Sequence, residues 1–313
     1  MGRRLILVRF CGFDYSTTKF EIRISKGHHL TQNYVCTMTL EIANSLFNQQ
    51  RYKDALALYD RLLNDDRKNI EAYFMRGLTH HALLDASAAL ADLSKVIELD
   101  NHHHEAFFNR ALILAEQGDL TTAKIDVECA MATYGADSYD YLMEGIELSH
   151  RLKHYADLKT YAERLAKLEP DLIYATESCA FAYLGLGEYE QALNCFEQVL
   201  RVLPQEAAVY NNIGYTYCLM GDYNQAIPYL NTCIKYDPDF AYAYANRGYA
   251  KLERGSIDSA LKDVKYSLEL DPSNGDAYFV RASIHQTLGN NEAAISDFEL
   301  ARTLGYDWPT SEQ

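Results

Sequence analysis

The chain has 313 residues, of which 48% are hydrophobic and only six are proline, so it has ample apolar surface to bury and does not have the composition of a disordered tail. Its formal net charge of −15 argues against a nucleic-acid partner, because phosphate contacts need clustered Lys and Arg, and it favours neutral or basic partners. Seven cysteines, an odd number without a C-x-x-C pair, fit reduced thiols in a cytoplasmic protein better than a disulfide framework.

In chain order, residues 1–35 differ from the rest of the chain. Residues 1–37 hold six Lys/Arg against two Asp/Glu, whereas the remainder holds 23 against 42. Met1-Gly-Arg-Arg followed by Leu5-Ile-Leu-Val8 imitates the charged start of a signal peptide, but the apolar run stops at Arg9, too short for one. No apolar run is long enough to span a membrane. Residues 19–25 alternate polar and apolar like a strand, with Leu5–Val8 as a candidate hairpin partner. Met38 stands just before the first repeat, which leaves open that residues 1–37 are not part of the natural protein.

From residue 36 a 34-residue period takes over. A glycine or alanine is followed twelve residues later by alanine and, twelve further on, by a turn residue that is often proline. Gly214, Ala226 and Pro238 are the cleanest set; Ala180, Ala192, Pro204 and Gly248, Ala260, Pro272 repeat it. Ala43/Ala55, Gly77/Ala89, Ala111/Ala123 and Ala282/Ala294 are weaker copies. Ala192 follows Ala123 by 69 positions, one more than two periods, so a degenerate repeat with one inserted residue is predicted at 138–172. The predicted array covers 36–308, with repeats at 36–69, 70–103, 104–137, 138–172, 173–206, 207–240, 241–274 and 275–308, and a tail at 309–313.

Counted from each repeat's start, position four is aromatic in Tyr73, Phe107, Tyr210, Tyr244 and Tyr278, positions eight and twenty are small, and Gly-Glu/Asp-Tyr marks the internal turn at Gly187 and Gly221. These residues resemble the tetratricopeptide repeat family over roughly 36–308. The resemblance implies an all-α fold, a right-handed superhelical solenoid of about eight helix-turn-helix repeats with a long concave surface. The physics agrees: small residues let two antiparallel helices approach closely, and one hairpin cannot bury its own apolar face, so neighbours must stack. Pro228, inside a second helix, predicts a small kink.

The repeats can also be compared with one another. Position seven is Arg in Arg76, Arg110, Arg247 and Arg281, and sixteen residues later the same four repeats carry Asp92, Asp126, Asp263 and Asp297. The others read Ile42/Leu58, Cys179/Cys195 and Ile213/Tyr229, with Glu144/Tyr161 assigned in the degenerate copy. Positions that covary in this way touch across the hairpin. An arginine matched by its own aspartate spends its charge internally, so structural ion pairs are favoured over ligand hooks. By the same geometry Cys179 and Cys195 are neighbours, read as reduced packing residues rather than a redox pair.

The resemblance further implies that positions two, five, six, nine, twelve and thirteen of each first helix line the concave wall. Its aromatics would be Phe47, Phe74, Phe108, Tyr139, Tyr174, Phe181, Tyr215, Tyr242, Tyr249 and Phe279, and its acids Glu41, Glu71, Glu105, Glu116, Glu177, Glu253 and Asp276, without Lys or Arg. The family's clamp for acidic C-terminal tails needs cations at these places, so that activity is not expected. Position six carries Asn109, Asn212 and Asn246, with Asn211 beside the second. A carboxamide donates and accepts at once, and the family uses such asparagines to hold a peptide backbone. The predicted binding residues are therefore Asn109, Asn211, Asn212, Tyr215, Tyr242, Asn246 and Tyr249.

His102-His-His104 with His80-His81 is the obvious metal candidate, yet three consecutive loop histidines point different ways and no thiolate or carboxylate stands at ligand spacing, so neither metal nor cofactor is expected. No phosphate loop, nucleophile elbow or zinc-protease motif is present, and no enzyme is expected. After Leu304 no polar capping helix follows, so either Trp308 folds over the last hairpin or that end pairs with another molecule. The expected function is a cytoplasmic scaffold or adaptor that binds an extended apolar or basic protein segment; the competing reading is self-assembly through the last repeat.

Overall fold

The structure, a computed structural model, describes residues 32–306, with side chains described from residue 37. The expected strand pair and Trp308 lie outside the described residues. Among the described residues every regular element is an α-helix. In order they are α1 (Gln32–Asn48), α2 (Tyr52–Asp65), α3 (Ile70–Ala82), α4 (Ala86–Leu99), α5 (His104–Glu116), α6 (Leu120–Tyr134), α7 (Tyr139–Arg151) and α8 (Tyr155–Leu168). There follow α9 (Ile173–Gly185), α10 (Tyr189–Val202), α11 (Ala207–Leu219), α12 (Tyr223–Tyr236), α13 (Ala241–Glu253), α14 (Ile257–Leu270), α15 (Gly275–Thr287) and α16 (Asn291–Thr303). Each odd helix pairs with the next even one. The chain forms two units. Up to Arg67 the described helices are α1 and α2, a single hairpin; from Lys68 the helices α3–α16 form seven stacked hairpins of a helical repeat solenoid. Met38 lies inside α1, not ahead of the first helix.

The sequence explains where the helices begin and turn. Asn69 and Asn274 cap α3 and α15 through their carboxamide oxygens, and Asp85, Asp119 and Asp222 cap α4, α6 and α12, each accepting from a first-turn backbone N–H. The turn inside every hairpin needs one left-handed residue. Glycine supplies it at Gly118, Gly187, Gly221, Gly255 and Gly289, while Gln50, Leu84 and Lys153 adopt it with side chains, Leu84 at φ 65° and 91% exposed. α12 runs unbroken through Pro228.

Within each hairpin the small positions set the spacing. Ala55, Ala89, Ala123, Ala192, Ala226 and Ala260 are fully buried. A Cβ built on Gly214 would stand 2.6 Å from Leu230 Cγ, and one on Gly248 2.9 Å from Val264 Cγ2. Hydrophobic side chains of successive hairpins then merge into continuous core, such as Leu142, Ile146 and Leu158 with Phe108 before them and Ala175 after.

The inserted residue sits elsewhere than expected. Gly145, not Glu144, faces the Tyr161 ring, at 3.0 Å from a built Cβ, which is the ordinary sixteen-residue spacing. α7 starts at Tyr139, thirty-five residues after α5, whereas α8 starts the usual sixteen after α7. The extra residue therefore lies between hairpins, where α6 runs one residue longer than α4 and ends at left-handed Gly135 (φ 74°). A loop absorbs an insertion that a packed hairpin would not.

Candidate functional site

The four Arg/Asp combinations are all in contact. Nε and Nη2 of Arg76, Arg110, Arg247 and Arg281 donate in a fork to Asp92, Asp126, Asp263 and Asp297 at 2.7–2.9 Å. The aspartates are 2–7% exposed. Each guanidinium also lies over the position-four ring one turn earlier, on Tyr73, Phe107, Tyr244 and Tyr278, at 5.0–5.8 Å from the centroid. Lys251 adds a second cation on Asp263 at 2.6 Å. Both charges of each pair are thus consumed inside the hairpin, which leaves little for a ligand.

The predicted asparagines are less open than a ladder of hooks requires. Asn246 is 3% exposed and Asn211 8%; Asn246 Nδ2 donates to Asn211 Oδ1 at 2.9 Å, between α13 and α11. Asn211 Nδ2 points on to Asn212 Oδ1 at 3.5 Å. Asn109 Nδ2 donates to Glu105 O of its own helix at 2.8 Å. Asn246 and Asn211 thus join two hairpins, and Asn212 and Asn109 are the half-exposed members.

The aromatics divide in the same way. Phe74 and Phe108 are each 4% exposed and Phe47 8%, so they belong to the core rather than to a wall. Tyr249 is half-buried against the Tyr223 ring at 5.9 Å, and burial followed by Glu253 raises its hydroxyl pKa. Tyr215 is half-buried. Phe181 packs edge-on to Phe196 at 5.8 Å, and Phe279 stacks on Tyr306 at 4.1 Å. Tyr242 and Tyr174 stand at the surface, 46% and 36% exposed. With the insertion placed before α7, Tyr139 becomes position one and leaves the predicted wall. Asp140, Glu144 and Glu147 take positions two, six and nine, and Arg151 takes position thirteen, so the wall holds one cation after all.

Acids are what this face keeps. Glu144 and Glu177 are half-buried and Glu71 stands at the surface, and none of the three makes an ion pair among the described residues. Burial pushes all three above the ordinary carboxylate range; Glu105, Glu147 and Glu206 add like-charge pressure on them in turn, while His103 and Arg151 partly offset it for Glu71 and Glu144. Glu144 is absent from the wall expected from sequence because the fourth repeat was placed one residue out of register.

Two of the loop histidines have partners within the fold. His103 Nδ1 accepts from Ala106 N–H at 3.2 Å as the cap of α5, and His104 Nδ1 hydrogen-bonds Tyr141 Oη at 2.6 Å. Among the described residues no group of three His, Cys, Asp or Glu is placed to hold a metal, and no helix is long and apolar enough to cross a membrane. Cys179 and Cys195 are free thiols close enough to interact; burial, then its neighbour Cys195, pushes Cys179 up to about 12, so it stays protonated at neutral pH.

Family models for the tetratricopeptide repeat match residues 40–102, 179–239, 220–264 and 246–306, together more than half of the chain. Over 85 residues it is 34% identical to a probable UDP-N-acetylglucosamine–peptide N-acetylglucosaminyltransferase SPINDLY of Arabidopsis thaliana, covering 27% of this chain and 9% of that one. Over 168 residues it is 25% identical to human DnaJ homolog subfamily C member 3, covering 54% and 29%. The chain thus spans less than a third of the length of either relative. The crystal structure of YrrB, a TPR protein with an unusual peptide-binding site, superposes with a TM-score of 0.53 at 20% identity, over 59% of this chain and 95% of that one. Period, hairpin geometry and these matches agree, and the chain belongs to the tetratricopeptide repeat family.

Proposed function

We propose that the chain is an adaptor that holds an extended apolar-to-basic protein segment along positions two, five, six and nine of its first helices, over residues 105–285. Tetratricopeptide repeats serve protein–protein interaction in general; the choice of segment is what the face itself suggests. The carrying observation is the set of half-buried, unpaired carboxylates Glu144 and Glu177 near exposed Tyr174. Burial makes their ionised forms costly, and an arriving Lys or Arg would relieve that cost while Tyr174 and Tyr242 cover the apolar part of the segment. Asn212 and Asn109 remain for the segment's backbone.

The test is a titration of the full chain with a panel of extended peptides that differ only in charge. Basic peptides should bind, and Glu144→Gln with Glu177→Gln should weaken them by about ten-fold, or about 1.4 kcal/mol, with a shallower salt dependence. Equal binding of acidic and basic peptides would sink the reading. The YrrB likeness concerns the fold, so it does not bear on which face is used.

Self-assembly is the second reading. Leu288 and Ile295 of the last described hairpin are 52% and 60% exposed, and a mass that rises with concentration would favour it.

A further inference from the structure

Four hairpins hold their own arginine in the same receptacle. Its floor is the position-four ring and its inner wall the position-twenty-three aspartate. Its outer edge, seen twice, is position twenty-five of the preceding hairpin: Ser94 Oγ accepts from Arg110 Nη1 at 3.1 Å, and Asn231 Oδ1 accepts from Arg247 Nη1 at 2.7 Å. The chain itself thus shows what chemistry occupies this place.

The hairpin of α11 and α12 keeps the floor and the outer edge but has no arginine. Its ring is Tyr210, and position seven is Ile213, 1% exposed. Position twenty-five of the preceding hairpin is Glu197, exposed and without an ion pair among the described residues. Positions eleven and twenty-three are Tyr217 and Tyr229, stacked at 5.6 Å and 24°, with Tyr210 tilted 32° to Tyr229 at 6.4 Å. Tyr229 thus joins Tyr210 and Tyr217 into one cluster of three partly exposed rings. Glu197 is near enough to act on the Tyr217 hydroxyl, whose pKa is raised by burial first, then by Tyr229 and by Glu197. The neighbouring Tyr236 is already covered by Lys235 at 5.9 Å.

We propose that this flank of the sixth hairpin, made by positions four, eleven and twenty-three and edged by Glu197, binds an arginine side chain supplied by a partner protein. A guanidinium is flat, stacks on aromatic faces and donates to a carboxylate at its edge at the same time, whereas an ammonium does only part of this. With buried Ile213 at position seven, this hairpin has no arginine of its own at that place, and we take the guanidinium to come from outside. The site is separate from the face assigned to the extended segment.

The experiment titrates the full chain, with carbon-13 in its tyrosine rings, with a short Gly/Ser-flanked peptide carrying one arginine, and with its citrulline and lysine counterparts. The arginine peptide should shift the Tyr210, Tyr217 and Tyr229 ring signals, and citrulline, which is isosteric but neutral, should bind about five-fold or more weakly. Lysine should fall between them. Glu197→Gln, on an exposed helix position, should weaken the arginine peptide about two- to five-fold. Ile213→Arg with Tyr229→Asp, which rebuilds the internal pair of the other hairpins, should abolish the response; if that variant fails to fold, Glu197→Gln decides alone. Equal binding of arginine and citrulline, unchanged by Glu197→Gln, would overturn the proposal in favour of a merely apolar surface. Shifts confined to Tyr174 and Tyr242, or no shift at all, would also overturn it; the former would support the extended-segment face.

Discussion

The position-seven arginines differ in what their hairpins would lose with them. Among the described residues Arg110 is the only cation donating to Asp126, which is 2% exposed, so Arg110→Leu strands a buried carboxylate and should cost about 3–5 kcal/mol. The double change with Asp126→Leu should recover most of it in urea melts. Arg247→Leu should cost clearly less, because Lys251 still reaches Asp263 at 2.6 Å. If the Arg110 single and double variants melt alike, the pair does not hold the hairpin. These contacts were legible in the sequence, since two residues that appear and vanish together at a fixed spacing of sixteen leave a trace in one chain. The ring beneath each arginine left the same trace, three residues earlier, as an aromatic that precedes every position-seven Arg. Burial of Asn246 left none: a carboxamide looks the same in sequence whether it faces solvent or Asn211 of the preceding hairpin.

At the scale of helices, close approach decides more than propensity does. Alanine is the better helix former, yet Gly214→Ala would drive a methyl into Leu230, a fully buried side chain, at 2.6 Å from Cγ. The substitution should therefore destabilise by about 1–3 kcal/mol, against the gain of up to about 1 kcal/mol expected for an open helix site. Thermal denaturation checks the sign. Small residues at fixed intervals made this packing readable in the sequence. The displaced insertion was not, because hairpin four lacks the small-residue pair and offers only Glu144, Gly145 and Tyr161 to align. Gly135 was the overlooked signal, since no other connection between hairpins from 70 to 275 has a glycine at the corresponding end of its second helix. Phe74 and Phe108 were misplaced for a related reason. One hairpin alone exposes position five, and only the stacking of the next one covers it.

Over the whole molecule, charge and stability oppose each other on the face proposed for binding. Glu144 and Glu177 have folded-state pKa values above the ordinary 4.5, so each favours folding while protonated. That contribution is fully present below the unfolded pKa and is lost as pH rises through the folded one, leaving a net cost at neutral pH. Glu144→Gln with Glu177→Gln should therefore raise the melting temperature at pH 7 and change it little at pH 4. A lower melting temperature at pH 7 would show that the carboxylates stabilise the fold and are not held for a partner. Stability in a stacked array is shared mainly between nearest neighbours, so each such cost stays local. The forked Arg/Asp pair has a further consequence for how the array can change over generations. Its two halves lie on one hairpin, so a duplicated or deleted 34-residue segment carries its own lock with it. The third hydrogen bond, to Ser94 or Asn231, belongs to the hairpin before. Copying a hairpin is therefore cheap, whereas reordering hairpins is not, and the order of repeats becomes a heritable character in its own right.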